Sequence, residues 1–256
     1  PVERSGAAQG LAELCFALGE ARLASVLEQA LPMQNSQSYA AREGLLWLLS
    51  FLPSAMHNQF APHIVTTLPV ILEGLSDPVE SVREVALRAG QVMVSTLGRS
   101  HTKQLLPALR KGILDPDWRI RHASVSLVGE LLYLVGDAKP VAAGTQQADD
   151  DEEEEESSNK SISKVYANIS AHLGGQITEN ILATLYIVRH DVAGACRQSS
   201  VQVWKSVVTN TPRVIMEVAG EMVLQLVHQL SSECDDLRVM AGRALGDIVS
   251  KLGDRI

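Results

Sequence analysis

An arginine followed fifteen residues later by a glycine recurs along this chain of 256 residues: Arg4 and Gly19, Arg83 and Gly98, Arg121 and Gly136, Arg238 and Gly253. Arg42 and Arg197 fill gaps in the series. Successive arginines are separated by 38, 41, 38, 76 and 41 residues, and the 76-residue step encloses an acidic run, so it holds one repeat plus an excursion. A period of about 40 residues accommodates a pair of helices, which cannot bury its apolar face alone and must stack on its neighbours.

Aligning the arginines aligns the apolar positions. Counted from the residue before each arginine, offsets 0, 4, 7 and 11 read Val82, Ala86, Ala89, Met93 and then Ile120, Ser124, Leu127, Leu131. They continue as Cys196, Ser200, Val203, Val207 and Leu237, Ala241, Ala244, Ile248; near the start they are Ala41, Leu45, Leu48, Leu52. These offsets place four side chains on one stripe of a helix, and the small residue at the second position lets a neighbour approach closely. The stripe is the buried face of the second helix of each repeat. First helices precede it at about 20–31, 60–75, 101–114, 177–190 and 213–231, read from the same periodicity. No sustained alternation of period two is present. The pattern is that of HEAT or armadillo arrays, so the predicted fold is all-α, an α-solenoid of about six stacked HEAT repeats with partial terminal ones.

Turn chemistry supports the boundaries. Asp77-Pro78-Val79-Glu80 predicts an N-cap Asp, a Pro at the first helical position and a Glu reaching back to the cap; Asp115-Pro116 repeats the opening. The glycines fifteen residues after each arginine are expected to adopt left-handed C-terminal caps, with His57 and Pro212 at the corresponding places after Arg42 and Arg197. Pro69 and Pro107 predict kinks or late starts in two first helices.

The eight residues Asp149 to Glu156 are all acidic and account for the net charge of −8; without them 22 acidic residues face 22 basic ones. A block of like charge repels itself and buries no core, so the predicted organisation is repeats over 1–136, a disordered acidic loop over 137–160, and a short extra helix with further repeats over 161–256. The first residues and the last both read as second helices without a polar capping repeat, which predicts an uncapped segment of a longer array. With aromatics at 4% against 46% hydrophobic residues, the core is aliphatic. Cys15, Cys196 and Cys234 are widely spaced and lack metal or disulfide spacing, which suits a reducing, cytoplasmic setting.

Three pairs stand six residues apart: Asp77 and Arg83, Asp115 and Arg121, Asp191 and Arg197. They are read as structural turn pairs, each Arg reaching a turn Asp of its own or an adjacent repeat. Ser36 and Ser232 replace the Asp before Arg42 and Arg238, which argues against a continuous ladder. Trp118-Arg119-Ile120-Arg121-His122 is the most distinctive pentapeptide. Either Trp118 and Arg119, with Lys103, Arg110 and Lys111 of the preceding helix, form a recognition strip for RNA phosphate or an acidic partner, or Trp118 packs on the preceding turn while Arg119 points to water. No metal-ligand spacing, phosphate-binding glycine loop or nucleophile elbow is present, so the reading is of a non-enzymatic chain without cofactor. No stretch is long and apolar enough to span a bilayer, and the neutral balance outside the acidic run gives no bulk bias towards nucleic acid or away from it; neither a membrane nor DNA is expected as a partner.

Longer strings carry a resemblance. Pro1-Val2-Glu3-Arg4-Ser5-Gly6-Ala7-Ala8-Gln9-Gly10-Leu11, Asp117-Trp118-Arg119-Ile120-Arg121, Leu127-Val128-Gly129-Glu130-Leu131-Leu132, Asn210-Thr211-Pro212-Arg213 and Gly242-Arg243-Ala244-Leu245-Gly246-Asp247 resemble the giant HEAT-repeat translational activators of the general amino acid control kinase. The acidic run and the residues up to about Asn180 match that family poorly. The resemblance implies a cytoplasmic scaffold in the amino-acid starvation and ribosome-stalling response, placed near or after an elongation-factor-three-like HEAT region. It implies three partners: the ribosome, including collided ribosomes; a protein kinase with an RWD domain that acts on the alpha subunit of initiation factor two; and an ATP-binding-cassette co-activator. The reading that competes with it is a HEAT scaffold of another class, such as a phosphatase regulatory subunit or a nuclear transport receptor.

Overall fold

The computed structural model describes residues 2–137 and 152–252, the latter without the side chains of 152–161 and Leu252. The described residues are helices, turns and short 3₁₀ segments with no strand. They fall into two compact units, residues 1–131 and 132–256.

The first unit opens with α1 (Val2–Leu18), α2 (Glu20–Ala30) and a 3₁₀ segment at Leu31–Asn35. It continues with α3 (Tyr39–Met56), α4 (Ile64–Gly74), α5 (Glu80–Ile113) and most of α6 (Trp118–Gly136). Helix α3 packs between α1 and α5, and α4 lies along α5. The sequence stripe is the core: Val82, Ala86, Ala89 and Met93 are fully buried, as are Ser124, Leu127 and Leu131, and Ala41 alone among the stripe residues of this unit is half-buried. First helices supply the opposing surface through Leu23, Leu27, Leu68, Ile71, Leu105 and Leu109. Each large aliphatic side chain taken from water contributes about 1.5–3 kcal/mol, against roughly 0.5–1.5 kcal/mol net for one hydrogen bond. The stripes therefore carry the stability, and the turns set the register.

Helix α5 combines the second helix of one repeat with the first helix of the next. It bends at His101 (φ −125°, ψ 28°), and the Thr102 hydroxyl donates to the Gly98 carbonyl at 2.5 Å. Gly98 is thus buried inside α5 rather than left-handed, because the bend and the Thr102 hydroxyl do the work expected of a C-terminal cap. Of the expected glycine caps within the described residues, only Gly19 has positive φ (84°). His57 (φ 47°) terminates α3 in the left-handed region without a glycine, and Gly253 lies outside the described residues. Pro69 lies inside α4 and Pro107 inside the second arm of α5, and each removes one backbone donor from its helix.

The second unit contains the end of α6, α7 (Glu152–Leu173), α8 (Gly175–Val188), α9 (Gly194–Val207), α10 (Thr211–Leu230) and α11 (Asp235–Leu252). Helix α8 packs on α9 and α10, and α10 on α11. The stripe is buried here too, apart from the half-buried Ile248. At the end of α6 the left-handed residue is Asp137 (φ 54°), not Gly136. A Cβ on Gly136 would lie 2.8 Å from Val165 Cγ1 of α7, so this glycine serves close packing, and its carbonyl accepts from Asn168 Nδ2 at 3.0 Å.

The extra helix starts earlier than its sequence suggested. Backbone from Glu152 is helical, which corrects a disordered loop reaching residue 160. Glutamates are good helix formers, and at a helix start they face the positive end of the macrodipole. Residues 138–151, which hold the rest of the expected loop, lie outside the described residues.

Candidate functional site

The turns between first and second helices are built alike from backbone carbonyls. Arg83 Nη1 donates to the carbonyls of Asp77 (2.7 Å) and Pro78 (3.0 Å), and Arg121 Nη1 to those of Asp115 and Pro116 (2.9 Å each). Arg197 Nη1 reaches the Asp191 and Val192 carbonyls at 2.7 Å each. Arg42 and Arg238 do the same to the carbonyls of Ser36 (2.7 Å) and Ser232 (2.6 Å). Since the acceptor is main chain, the guanidinium tolerates Asp or Ser six residues earlier.

The side chain at that earlier position has its own task. Asp77, Asp115 and Asp191 each accept, through Oδ1, the N–H two residues on, at 2.9, 2.9 and 2.8 Å. Ser36 and Ser232 Oγ accept the equivalent N–H at 3.2 Å. These are Asx and Ser turns preceding the helix. The expected capping box at Asp77 is corrected accordingly: α5 begins at Glu80, with Val79 as its N-cap. At the next turn Asp117 is the capping residue, accepting from the Arg119 N–H at 2.7 Å.

One carboxylate also joins adjacent repeats. Arg42 Nε and Nη2 donate to Asp77 Oδ2 (2.6 Å) and Oδ1 (3.0 Å) of the following turn. Burial pushes the Asp77 carboxyl upward, but hydrogen bonds from Arg42 and the Val79 N–H, with the charges of Arg42 and Arg83, outweigh it and hold it below the ordinary range. In the first repeat Arg4 instead reaches Glu43 at 2.8 Å.

Within this framework the candidate strip is spread along the second arm of α5: Lys103 stands just after the bend at His101, whereas Arg110 and Lys111 stand in the last turn before the turn to α6. Lys103 and Lys111 are exposed, Arg110 is half-buried, and none of the three makes an ion pair among the described residues. Across the turn, Trp118 is 40% exposed in the first turn of α6, and the Arg119 guanidinium lies over its ring at 4.7 Å from the centroid. The turn thus brings an aromatic with its stacked guanidinium next to the end of a basic helix. The other turns of this unit differ: Glu73 and Glu80 flank Asp77, and residues 34–39 carry no charge.

Two clusters of the second unit escaped sequence reasoning. Asp247 Oδ2 accepts from the Tyr186 hydroxyl (2.5 Å) and Lys251 Nζ (2.9 Å), with His190 Nε2 at 3.3 Å. Beside them the Arg189 guanidinium packs on the rings of Tyr186 and Trp204, and Trp204 Nε1 donates to Thr211 Oγ1 at 3.0 Å. Burial lowers the His190 pKa despite Asp247. Tyr186 and Asp247 are 61 residues apart. No local spacing announces such a pair; the only signal was a Trp beside the stripe of α9.

Among the described residues no group of three or more His, Cys, Asp or Glu side chains is placed to hold a metal ion, and no helix is long and apolar enough to cross a membrane.

Comparison with known proteins follows the same repeats. The chain is 38% identical over its whole length to the human "Stalled ribosome sensor GCN1", of which it spans 9%. It is 36% identical over 98% of its length to the "eIF-2-alpha kinase activator GCN1" of Saccharomyces cerevisiae, again spanning 9% of that protein. Half of the chain is 30% identical to elongation factor 3 of Gonapodya prolifera, covering 12% of it. Residues 4–137 match the EF3 N-terminal HEAT repeat. With the helix pairs, their recurring arginine turns and this match across more than half its residues, the chain belongs to the family of EF3 N-terminal HEAT repeats and is similar along its full length to GCN1 proteins.

Proposed function

We propose that this chain is a non-enzymatic scaffold segment of a cytoplasmic, ribosome-associated activator of the kinase that phosphorylates the alpha subunit of initiation factor two. The observation that carries the reading is the unbroken similarity, over 98–100% of the chain, to proteins named for sensing stalled ribosomes and activating that kinase. The geometry agrees with a scaffold: the recurring stripes are buried in stacking, while turn tips that differ in charge stand outside together with exposed apolar side chains such as Leu14, Phe16, Met216 and Leu224. Lys103, Arg110, Lys111, Trp118 and Arg119 form the strip we assign to ribosome contact. The kinase with its RWD domain and the ATP-binding-cassette co-activator are the other partners proposed for that activator. The turn pairs Asp77 and Arg83, Asp115 and Arg121, and Asp191 and Arg197 serve the fold.

A segment swap tests this. The stretch of the yeast eIF-2-alpha kinase activator that aligns with this chain is replaced by it, and phosphorylation of initiation factor two alpha is followed during amino-acid starvation. The reading expects the response to survive the swap and to fall when Lys111 and Arg119 are both changed to Glu. A swapped activator that retains its full response with both charges reversed overturns the assignment of the strip. One that is stably expressed but inert overturns the scaffold reading.

A further inference from the structure

We infer that the face of the α10–α11 pair turned away from α8 is a docking surface, and that its occupant is one further helix pair of the same repeat, laid on α10–α11 as that pair is laid on α8. The repeat itself supplies the comparison. Eleven residues after the arginine of each second helix stand Cys15, Pro53, Val94, Leu132, Val208 and Val249. The first five are buried, and Val249 is 59% exposed. First helices show the same contrast. Arg197 and Arg238 are 41 residues apart, so Ala183 and Tyr186 of α8 correspond to Leu224 and Val227 of α10. On α8 this side meets the pair that follows: the Tyr186 hydroxyl donates to Asp247 of α11, and Thr184 Oγ1 donates to Gln225 Oε1 of α10 at 2.9 Å. Ala183 and Tyr186 are accordingly fully buried, whereas Leu224 and Val227 are 68% and 63% exposed.

The bare face has the chemistry of the interface it would extend. Contiguous exposed aliphatic side chains mark a protein contact, and both helices of the pair contribute them, so a lone helix would leave one of the two wet. Gly242, Leu245, Gly246 and Val249 share one side of α11, and a Cβ on either glycine would meet nothing within 4 Å. Gly90 of α5 shows such a position when covered: a Cβ there would stand 3.0 Å from Leu127 of α6. The direction of stacking is also set. Asn180 meets Glu221 and Thr184 meets Gln225, each pair 41 residues apart, so α8 and α10 run parallel and in register. A further first helix laid on α10 in that register covers Leu224 and Val227, and its second helix covers Leu245 and Val249.

The test appends to the intact chain a second copy of its own residues 208–256, with Glu221→Gln in the copy so that no two glutamates meet at the joint. Labelling of Val227→Cys in the original pair by a maleimide, located by mass spectrometry, reads the face directly. It should be fast in the unextended chain and slower by about tenfold or more in the extended one, where the site must open first. The added residues should melt together with the rest and raise the melting temperature by about 5 °C or more. Leu224→Asp in the original pair should leave the melt of the unextended chain within about 1 °C, because that side chain already faces water. In the extended chain the same change should cancel both the protection and the rise. Equal labelling with and without the extension, or an added pair that stays unfolded, overturns the inference. Labelling of the unextended chain that slows as its concentration rises also overturns it, because the face then belongs to a second copy.

Discussion

The turn before α6 and the turn before α11 use the same contact in opposite surroundings. In both, an arginine six residues on donates to a turn carbonyl, at 2.9 Å from Arg121 and 2.6 Å from Arg238. Arg121 is fully buried, whereas the Arg238 side chain is 42% exposed and also pairs with Asp235 in water. One turn accepts its N–H with Asp115, the other with Ser232. The difference teaches that the repeat is defined by a guanidinium on main-chain oxygen, while burial decides how much that contact is worth. Hydrogen bonds to a charged group are worth about 1.5–3 kcal/mol when buried, and exposed pairs roughly 0–1 kcal/mol.

The largest expected effect is therefore Arg121→Ala, which leaves the Asp115 and Pro116 carbonyls without their guanidinium. It should cost about 3 kcal/mol, read as a lower denaturation midpoint at unchanged slope; Arg238→Ala should cost less than about 1 kcal/mol. Equal losses would mean that burial does not set the weight of the contact. Next comes Gly112→Ala. An added Cβ there would clash with Ser124 Oγ and press on Ser124 Cβ, so the Ser124 side chain must turn away or α5 and α6 must part, at a cost of about 1–3 kcal/mol. Pairing it with Ser124→Ala tests the cause, because a clash with Oγ should be partly relieved in the double variant.

A smaller effect sharpens the comparison from the other side. Asp115→Ser turns the buried turn into the chemistry of Ser36 and Ser232, and should cost less than about 1 kcal/mol, since an oxygen still accepts the Asp117 N–H. A loss as large as that of Arg121→Ala would show that the carboxylate, not the carbonyl, is the partner that matters.

Acid gives the smallest and most gradual change. His63, His122 and His190 have pKa values lowered by burial, so the unfolded chain binds protons more tightly than the folded one. Stability from these groups is present above the unfolded value of about 6.5 and declines as pH falls below it. The lowered carboxyl of Asp77 adds a second loss below about pH 4, as pH falls through its folded value. Thermal melts from pH 7.5 to 5.5 should shift steadily downward, and a flat or rising profile would contradict the sign.

Much of this fold is legible in sequence because a repeat states its pattern several times. The stripe beginning at Val82 could be checked against that beginning at Ile120, and a boundary supported by Asp77-Pro78 reappeared at Asp115-Pro116. Where the sequence misled, the physics was local and substitutable. Gly98 invited a left-handed cap, yet the Thr102 hydroxyl and a bend at His101 ended the helix without one. Glutamates that forbid a core do not forbid a helix, so α7 begins at Glu152. Contacts across repeats were legible only in kind: an arginine reaching a turn Asp of an adjacent repeat was expected, as Arg42 does with Asp77, but nothing near Tyr186 announces Asp247, because their meeting depends on how one pair stacks on the next. The strip was nameable residue by residue, but that the exposed Arg119 also lies over the Trp118 ring required the structure.

The most direct measurement is sedimentation of the intact chain through a sucrose gradient with ribosomes stalled into collided arrays. The chain should travel with the arrays, and the variant with Lys111 and Arg119 changed to Glu should remain at the top with an unchanged melt. A folded variant that travels as far as the original would contradict the claim that this scaffold meets the ribosome through the α5–α6 tip.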